Sequence, residues 1–319
     1  MPLALRADFW TLVSDKPAES PMRLEWPTLG LIALCYGAWA AAGFWLWPLA
    51  PVVALAVMAV MAALHSSLVH ECLHGHPTRS RRVNEALVAL PLSLAYPFRR
   101  YKATHLQHHH DERLTDPFDD PESYYRAKWQ YAALPRWLKL LLRWNNTLLG
   151  RVLLGPWLVA VAFFVSEAGL LRRDVHGVRL AWALHVPAAL VVIALVWAMG
   201  IPLWLYLLGV CWPGLSLIAI RTFAEHRWHE TPEGRTIIVE RSPLAWLFLY
   251  NNLHIVHHKL PSAPWYDLPR LYRERRGEWQ AMNGGYVFPN YLALWRRWGL
   301  SVKEPVVHPA LRREAGPAA

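Results

Sequence analysis

Sixteen histidines stand in this chain, and twelve of them gather in four short stretches. HECLHGH carries His70, His74 and His76, and HLQHHH carries His105, His108, His109 and His110. EHRWHE carries His226 and His229, and HIVHH carries His254, His257 and His258. A neutral imidazole offers a nitrogen lone pair, and it suits iron, copper, nickel and zinc alike. Residues three and four apart share a helix face. His70 and His74 have that spacing, and H-x-x-H-H occurs twice, at 105–109 and 254–258. A single H-x-x-H-H reads as a solvated loop. Two copies with an H-x-x-x-H describe elements that surround a metal pair. A structural zinc takes four ligands, whereas eight or more histidines imply two ions.

The other histidines read differently. His65 lies five residues before His70, about 140° round a helix from it, which suits a hydrogen-bonded packing role. His185 has no histidine partner and takes the same reading. His176 and His308 lie in polar surroundings and read as surface residues. His76 and His110 are extra members of their stretches, expected behind the ligands or exposed. His226 is preferred to His229 as a ligand, because it lies nearer the end of an apolar run.

The elements that must position these groups are apolar helices. Hydrophobic residues make up 55% of the chain and charged residues 18%, against about a quarter charged in soluble domains. The 19 tryptophans suit membrane–water interfaces. Residues 28–47, 49–69, 180–199 and 201–220 each approach the ~20 apolar residues that cross ~30 Å of hydrocarbon. They form two tight hairpins whose turns, at Trp47–Pro51 and Gly200–Pro202, hold no Lys or Arg. Segment 77–179 holds sixteen Lys and Arg, Arg79, Arg81 and Arg82 among them. The positive-inside rule therefore places both termini, 77–179 and 221–303 in the cytoplasm. All four histidine stretches then meet at one face. The net charge of +10 reflects topology rather than nucleic-acid binding. Residues 86–98 are too short to span and read as re-entrant or interfacial. Residues 147–165, interrupted by Arg151 and Pro156, read as interfacial. Cys35, Cys72 and Cys211 suggest neither a disulfide framework nor a zinc knuckle. The mixed-charge N-terminus reads as lacking a cleavable signal peptide. The expected fold is an all-α integral membrane domain over 1–303. It has four transmembrane helices in two hairpins and a cytoplasmic helical cap with a histidine-rich di-metal site. A disordered tail is expected over 304–319.

HECLH, HLQHH and HIVHH around two membrane hairpins resemble the histidine boxes of the membrane fatty acid desaturase family. NNLHIVHHKLPSAPWYDLP is similar to bacterial members, and the likeness spans roughly residues 28–290. That family includes fatty acid hydroxylases and carotenoid ketolases and hydroxylases. The resemblance implies two non-haem irons held by His70, His74, His105, His108, His109, His254, His257 and His258, with His226 as a further ligand after the fourth span. Acyl-CoA desaturases place an asparagine four residues before that histidine; here Thr222 stands there. Asn251 and Asn252 are substitutes or helix caps, and His76, His110 and His229 are alternative ligands.

The resemblance implies O2-dependent oxidation of a long-chain acyl group, by desaturation, in the bacterial inner membrane. Hydroxylation or ketolation of a carotenoid or other lipid is the alternative. A metal transporter would place its polar ligands at mid-bilayer, where this chain has Leu, Ala, Val and Trp. No ferredoxin or haem motif is fused to the chain, so two electrons are expected from a separate ferredoxin- or cytochrome-type donor. Arg99, Arg100 and Lys102 are candidates for docking it. Among the acids, Asp111, Glu225 and Glu71 are the candidates to fix ligand tautomers. The DDPE run at 119–122 reads as a turn or helix start.

Overall fold

The computed structural model describes residues 24–311, except the side chain of Asp111. The N-terminal signal reading, the end of the tail from 312 and the tautomer role of Asp111 therefore lie outside the described residues. Five described helices are long and apolar enough to cross a membrane, where the sequence leads us to expect four. They are α1 (Trp26–Leu46), α2 (Pro51–Leu73), α7 (Leu148–Arg172), α8 (Val178–Ala198) and α9 (Leu203–Glu225).

Local chemistry explains their ends. Pro27 and Pro51 stand in the first turns of α1 and α2, where a missing N–H costs nothing. Gly200 turns α8 into α9 at φ +72°, a conformation that suits glycine. Both α1 and α9 contain a five-residue π turn, Ala42–Leu46 and Leu207–Cys211.

The unexpected length is in α7. Pro156 does not break it, although proline frees the carbonyls of the preceding turn. Ser216 Oγ donates to the Val152 carbonyl at 2.8 Å, and Trp212 Nε1 donates to that of Leu153 at 3.3 Å. α9 thus satisfies what Pro156 releases, and the segment that Arg151 and Pro156 interrupt in the sequence continues as one helix for 25 residues.

The helices pack around a core that includes Trp39, Met58, Leu68, Leu92, Val192 and Tyr206. α2 and α9 cross closely at Gly214. A Cβ there would lie 3.0 Å from the Ala59 carbonyl and 3.1 Å from Ala62 Cβ, the small-residue contact that membrane helices use. Between α3 (Arg81–Leu87) and α4 (Phe98–His108) the chain inserts into this core. Tyr36 Oη donates to the Leu90 carbonyl at 3.1 Å and Tyr206 Oη to that of Leu92 at 2.6 Å. Non-helical backbone at membrane depth requires such internal partners. His65, within α2, meets Tyr36 Oη at 2.9 Å, in line with a packing role.

The polar part of the fold collects at the ends of α2 and α9. It comprises α5 (Lys128–Ala133), α6 (Arg136–Asn145), α10 (His254–Lys259), α11 (Leu268–Glu274), α12 (Arg276–Met282) and α13 (Tyr291–Trp298). Two short parallel strands, β1 (Ile238–Val239) and β2 (Val287–Phe288), hold its halves together. The chain stays packed beyond 303, where a tail was expected. Arg126 exchanges backbone hydrogen bonds with Val306 and His308, and both of these side chains are buried. His308 packs on Tyr125 with ring centroids 5.0 Å apart, so the surface reading of this histidine does not hold.

Candidate metal centre

Four separate elements deliver imidazoles to one place. α2 ends in His70 and His74, α4 carries His105 and His108 with His109 at its C-cap, α9 gives way to His226, and α10 carries His254, His257 and His258. The helical spacing puts each set on one face, and the buried faces of α4 and α10 meet. The nitrogens fall into two groups. His70, His74, His105, His109 and His257 form one; His108, His226, His254 and His258 form the other. Within each group the ligand atoms lie within 4.8 Å of one another.

Many Nε2 atoms point at each other. His74 to His105 is 3.2 Å, His105 to His109 3.0 Å and His109 to His257 3.2 Å. In the second group, His226 Nε2 lies 2.9 Å from both His108 and His254, and His258 lies 3.2 Å from His254. Two nitrogens bound at about 2.0–2.1 Å to one ion, at right angles, stand about 3 Å apart. His70 Nε2 is buried with no hydrogen-bond partner, a cost a metal would remove. The donor set and its spacing therefore fit a pair of metal ions.

The outer nitrogens show how the rings are held. His108 Nδ1 meets Asp120 Oδ1 at 2.8 Å, and His105 Nδ1 meets Glu122 Oε1 at 2.9 Å. His254 Nδ1 meets Asn251 Oδ1 at 2.9 Å. Asp120 is itself fixed: it accepts from the backbone N–H of Thr115 at 2.8 Å and of Glu122 at 2.9 Å. Thr115 sits at φ +73° to close that loop, which is strained for a β-branched residue. Asp120 and Glu122 are thus the principal orienting carboxylates, in the run the sequence presents as a turn. Their signal was absent because they reach back 12 and 17 residues through a folded loop, not along a periodic element.

The other candidates separate. Glu71 accepts from the Trp265 backbone N–H at 3.2 Å and stands 3.8 Å from His70 Nδ1. Glu225 pairs with Arg221 at 2.7 Å and lies 3.7 Å from His254 Nδ1. Asn252 donates to the Val239 carbonyl and serves the fold. His76 is buried against Glu25, His229 bonds Thr231 at 3.0 Å, and His110 is exposed; none of the three belongs to either group. The docking role of Arg100 fails on burial: its guanidinium forms a buried ion pair with Glu167 at 2.8 Å. Arg99 is paired with Glu85 at 2.7 Å.

Electrostatics favours neutral ligands with one exception. Burial holds His74, His109, His226, His254 and His257 well below the usual imidazole range, and neighbouring imidazoles add to it. Burial lowers His105 as well, against the pull of Glu122. Burial also acts downward on His108, but Asp120 and Glu122 overcome it and raise its pKa to about 9. Burial would raise Glu122, yet His108 and His105 hold it at about 2. A cavity of about 30 Å³ lies beside the second group, with Asp120, Glu122, Tyr125, His226 and Lys303 among its lining residues. Such a space admits water.

Long apolar helices carrying a nitrogen-rich pocket for two ions at their ends define a membrane-embedded metalloprotein. The sequence model of the fatty acid desaturase family matches residues 44–290, and the chain belongs to that family. It is accordingly a membrane oxidoreductase of lipid metabolism. No curated protein gives a significant match.

Proposed function

We propose that the protein is an O2-dependent di-iron desaturase that introduces a double bond into a long-chain fatty acyl group. The observation that carries this reading is the convergence of nine buried or half-buried imidazoles in two adjacent groups, within a chain of the desaturase family. His70, His74, His105, His109 and His257 would hold one iron. His108, His226, His254 and His258 would hold the other. Iron so held supplies O2 activation and the removal of two hydrogens from an unactivated carbon chain. The balance is –CH2–CH2– with O2, two electrons and two protons, giving –CH=CH– and two waters. The electrons come from a separate ferredoxin- or cytochrome-type protein.

The chain's own residues perform the positioning. Asp120, Glu122 and Asn251 hold the Nδ1 side of three rings, leaving their Nε2 lone pairs aimed inward. Fixing the outer nitrogen in this way sets tautomer and orientation. Burial of His70, His105, His108, His254, His257 and His258 keeps bulk water off the centre. The site lies where α2 and α9 leave the apolar layer, within reach of an acyl chain that enters from the membrane. The Lys and Arg of segment 77–179 support a cytoplasmic centre at the bacterial inner membrane.

Expression in a host that supplies both acyl lipids and β-carotene tests the reaction. New double bonds in the acyl pool are expected. A hydroxylated acyl product would change the reaction, and oxygenated carotenoids with unchanged acyl chains would overturn the substrate.

A further inference from the structure

Length and composition allow five crossings, but the position of the histidines does not. His74, at the end of α2, and His226, at the end of α9, are joined through α4: His105 Nε2 lies 3.2 Å from His74 and His108 Nε2 lies 2.9 Å from His226. The chain thus leaves one face at His74 and is back at it by His226. It must cross an even number of times between them. Three candidates lie in that interval, α7, α8 and α9, so one of them does not cross.

Both ends of α7 identify it. At its start, the Arg151 guanidinium lies over the Tyr124 ring at 3.5 Å and the Leu149 N–H donates to the Gly299 carbonyl at 3.0 Å. Tyr124 follows Glu122, which holds His105. Towards its other end, Glu167 accepts two bonds of 2.9 Å and one of 2.8 Å from Arg100. Arg100 stands on α4, five residues before His105. Arg151 and Glu167 are separated by about 24 Å of helix at 1.5 Å per residue, yet each is tied to the histidine-bearing segment. A helix perpendicular to the bilayer would carry Glu167 towards the opposite face. α8 and α9, by contrast, share a far turn flanked by the exposed Trp197 and Trp204.

The surfaces of α6 and α7 indicate what surrounds them. On α6, Trp137, Leu140 and Trp144 are 63%, 61% and 51% exposed on one stripe. Beside that stripe stand Arg136, Lys139 and Arg143. α7 exposes Trp157, Val161, Phe164 and Val165 and ends in Arg172 and Arg173. An apolar stripe with tryptophans, flanked by cations, is the pattern of a helix lying in a bilayer interface, and cations favour anionic lipid. We propose that α6 and α7 form an in-plane pair seated in the leaflet on the side of the metal centre, with anionic phospholipid headgroups against Arg136, Lys139 and Arg143. The Arg100–Glu167 pair then ties this lipid-seated unit to α4 and its three histidines.

The proposal is independent of metal content and of the reaction, and sided labelling of the full-length protein in vesicles tests it. Asp174→Cys, beyond the end of α7, and Lys128→Cys, before α6, are treated with a membrane-impermeant maleimide; His176→Cys serves if Asp174→Cys fails to accumulate. The native cysteines are buried. Labelling of both sites from the same side is expected. Labelling from opposite sides would make α7 a true span and overturn the in-plane pair. A nitroxide on Leu140→Cys reports depth in vesicles of phosphatidylcholine with or without phosphatidylglycerol. An oxygen-accessible label at the headgroup–acyl boundary, deeper with phosphatidylglycerol, is expected. A water-exposed label in both would overturn lipid seating, and equal depth in both would overturn the anionic preference.

Discussion

Each residue that fixes a ring matters nearly as much as the ring. Asp120→Asn leaves the shape intact but weakens the grip on His108 Nδ1; metal affinity is expected to fall about 10–100-fold, measured by chelator competition. Glu122→Gln should act in the same direction through His105. His108→Ala or His257→Ala should abolish turnover, while His308→Ala, outside both groups, should keep its metal; metal analysis beside activity separates the two cases. The pKa of His108, about 9 in the metal-free protein, gives a signed pH dependence. Below that value a proton must leave before a metal binds, so affinity should rise by about tenfold per pH unit up to about 9 and then level. The folded-state pKa lies above the ordinary imidazole value. The stability it contributes to the metal-free protein is therefore fully present below about 6.5 and lost as pH rises through 9. The two trends run in opposite directions, and thermal unfolding with and without metal reads both. Eight of the nine grouped histidines were legible in the sequence because helical spacing is a local rule, and His226 stood out only by its place near the end of an apolar run. Asp120 and Glu122 were not, because a loop closed by Thr115 brings them back over α4.

Legibility changes at the scale of elements. Four of the five long helices stand within a few residues of their apolar runs, because hydropathy is a sum over neighbours. α7 was underestimated for a reason outside its own sequence. Ser216 and Trp212 of α9 satisfy the carbonyls that Pro156 releases. Ser216→Ala should therefore destabilise the α7–α9 contact by about 1 kcal/mol, the usual net value of one hydrogen bond, seen as a lower unfolding temperature in detergent. Arg100 illustrates a charge whose sequence context misleads. It reads as a surface cation, yet it is buried on Glu167. Arg100→Met leaves that carboxylate unpaired and should cost about 3–5 kcal/mol. Adding Glu167→Gln should recover much of the loss, and a double-mutant cycle measures the coupling.

The whole molecule is a scaffold of apolar helices whose polar ends close over one nitrogen-rich pocket. Burial keeps most of the imidazoles, His108 excepted, on the neutral side, carboxylates and Asn251 aim them, and the adjoining membrane delivers a substrate that water would not dissolve. The central claim is that this pocket holds two irons. Purified protein expressed with iron supplied should contain about two iron atoms per chain and negligible zinc by elemental analysis, as nine grouped imidazoles require more than the four ligands of a structural zinc. One zinc per chain with no iron would contradict it.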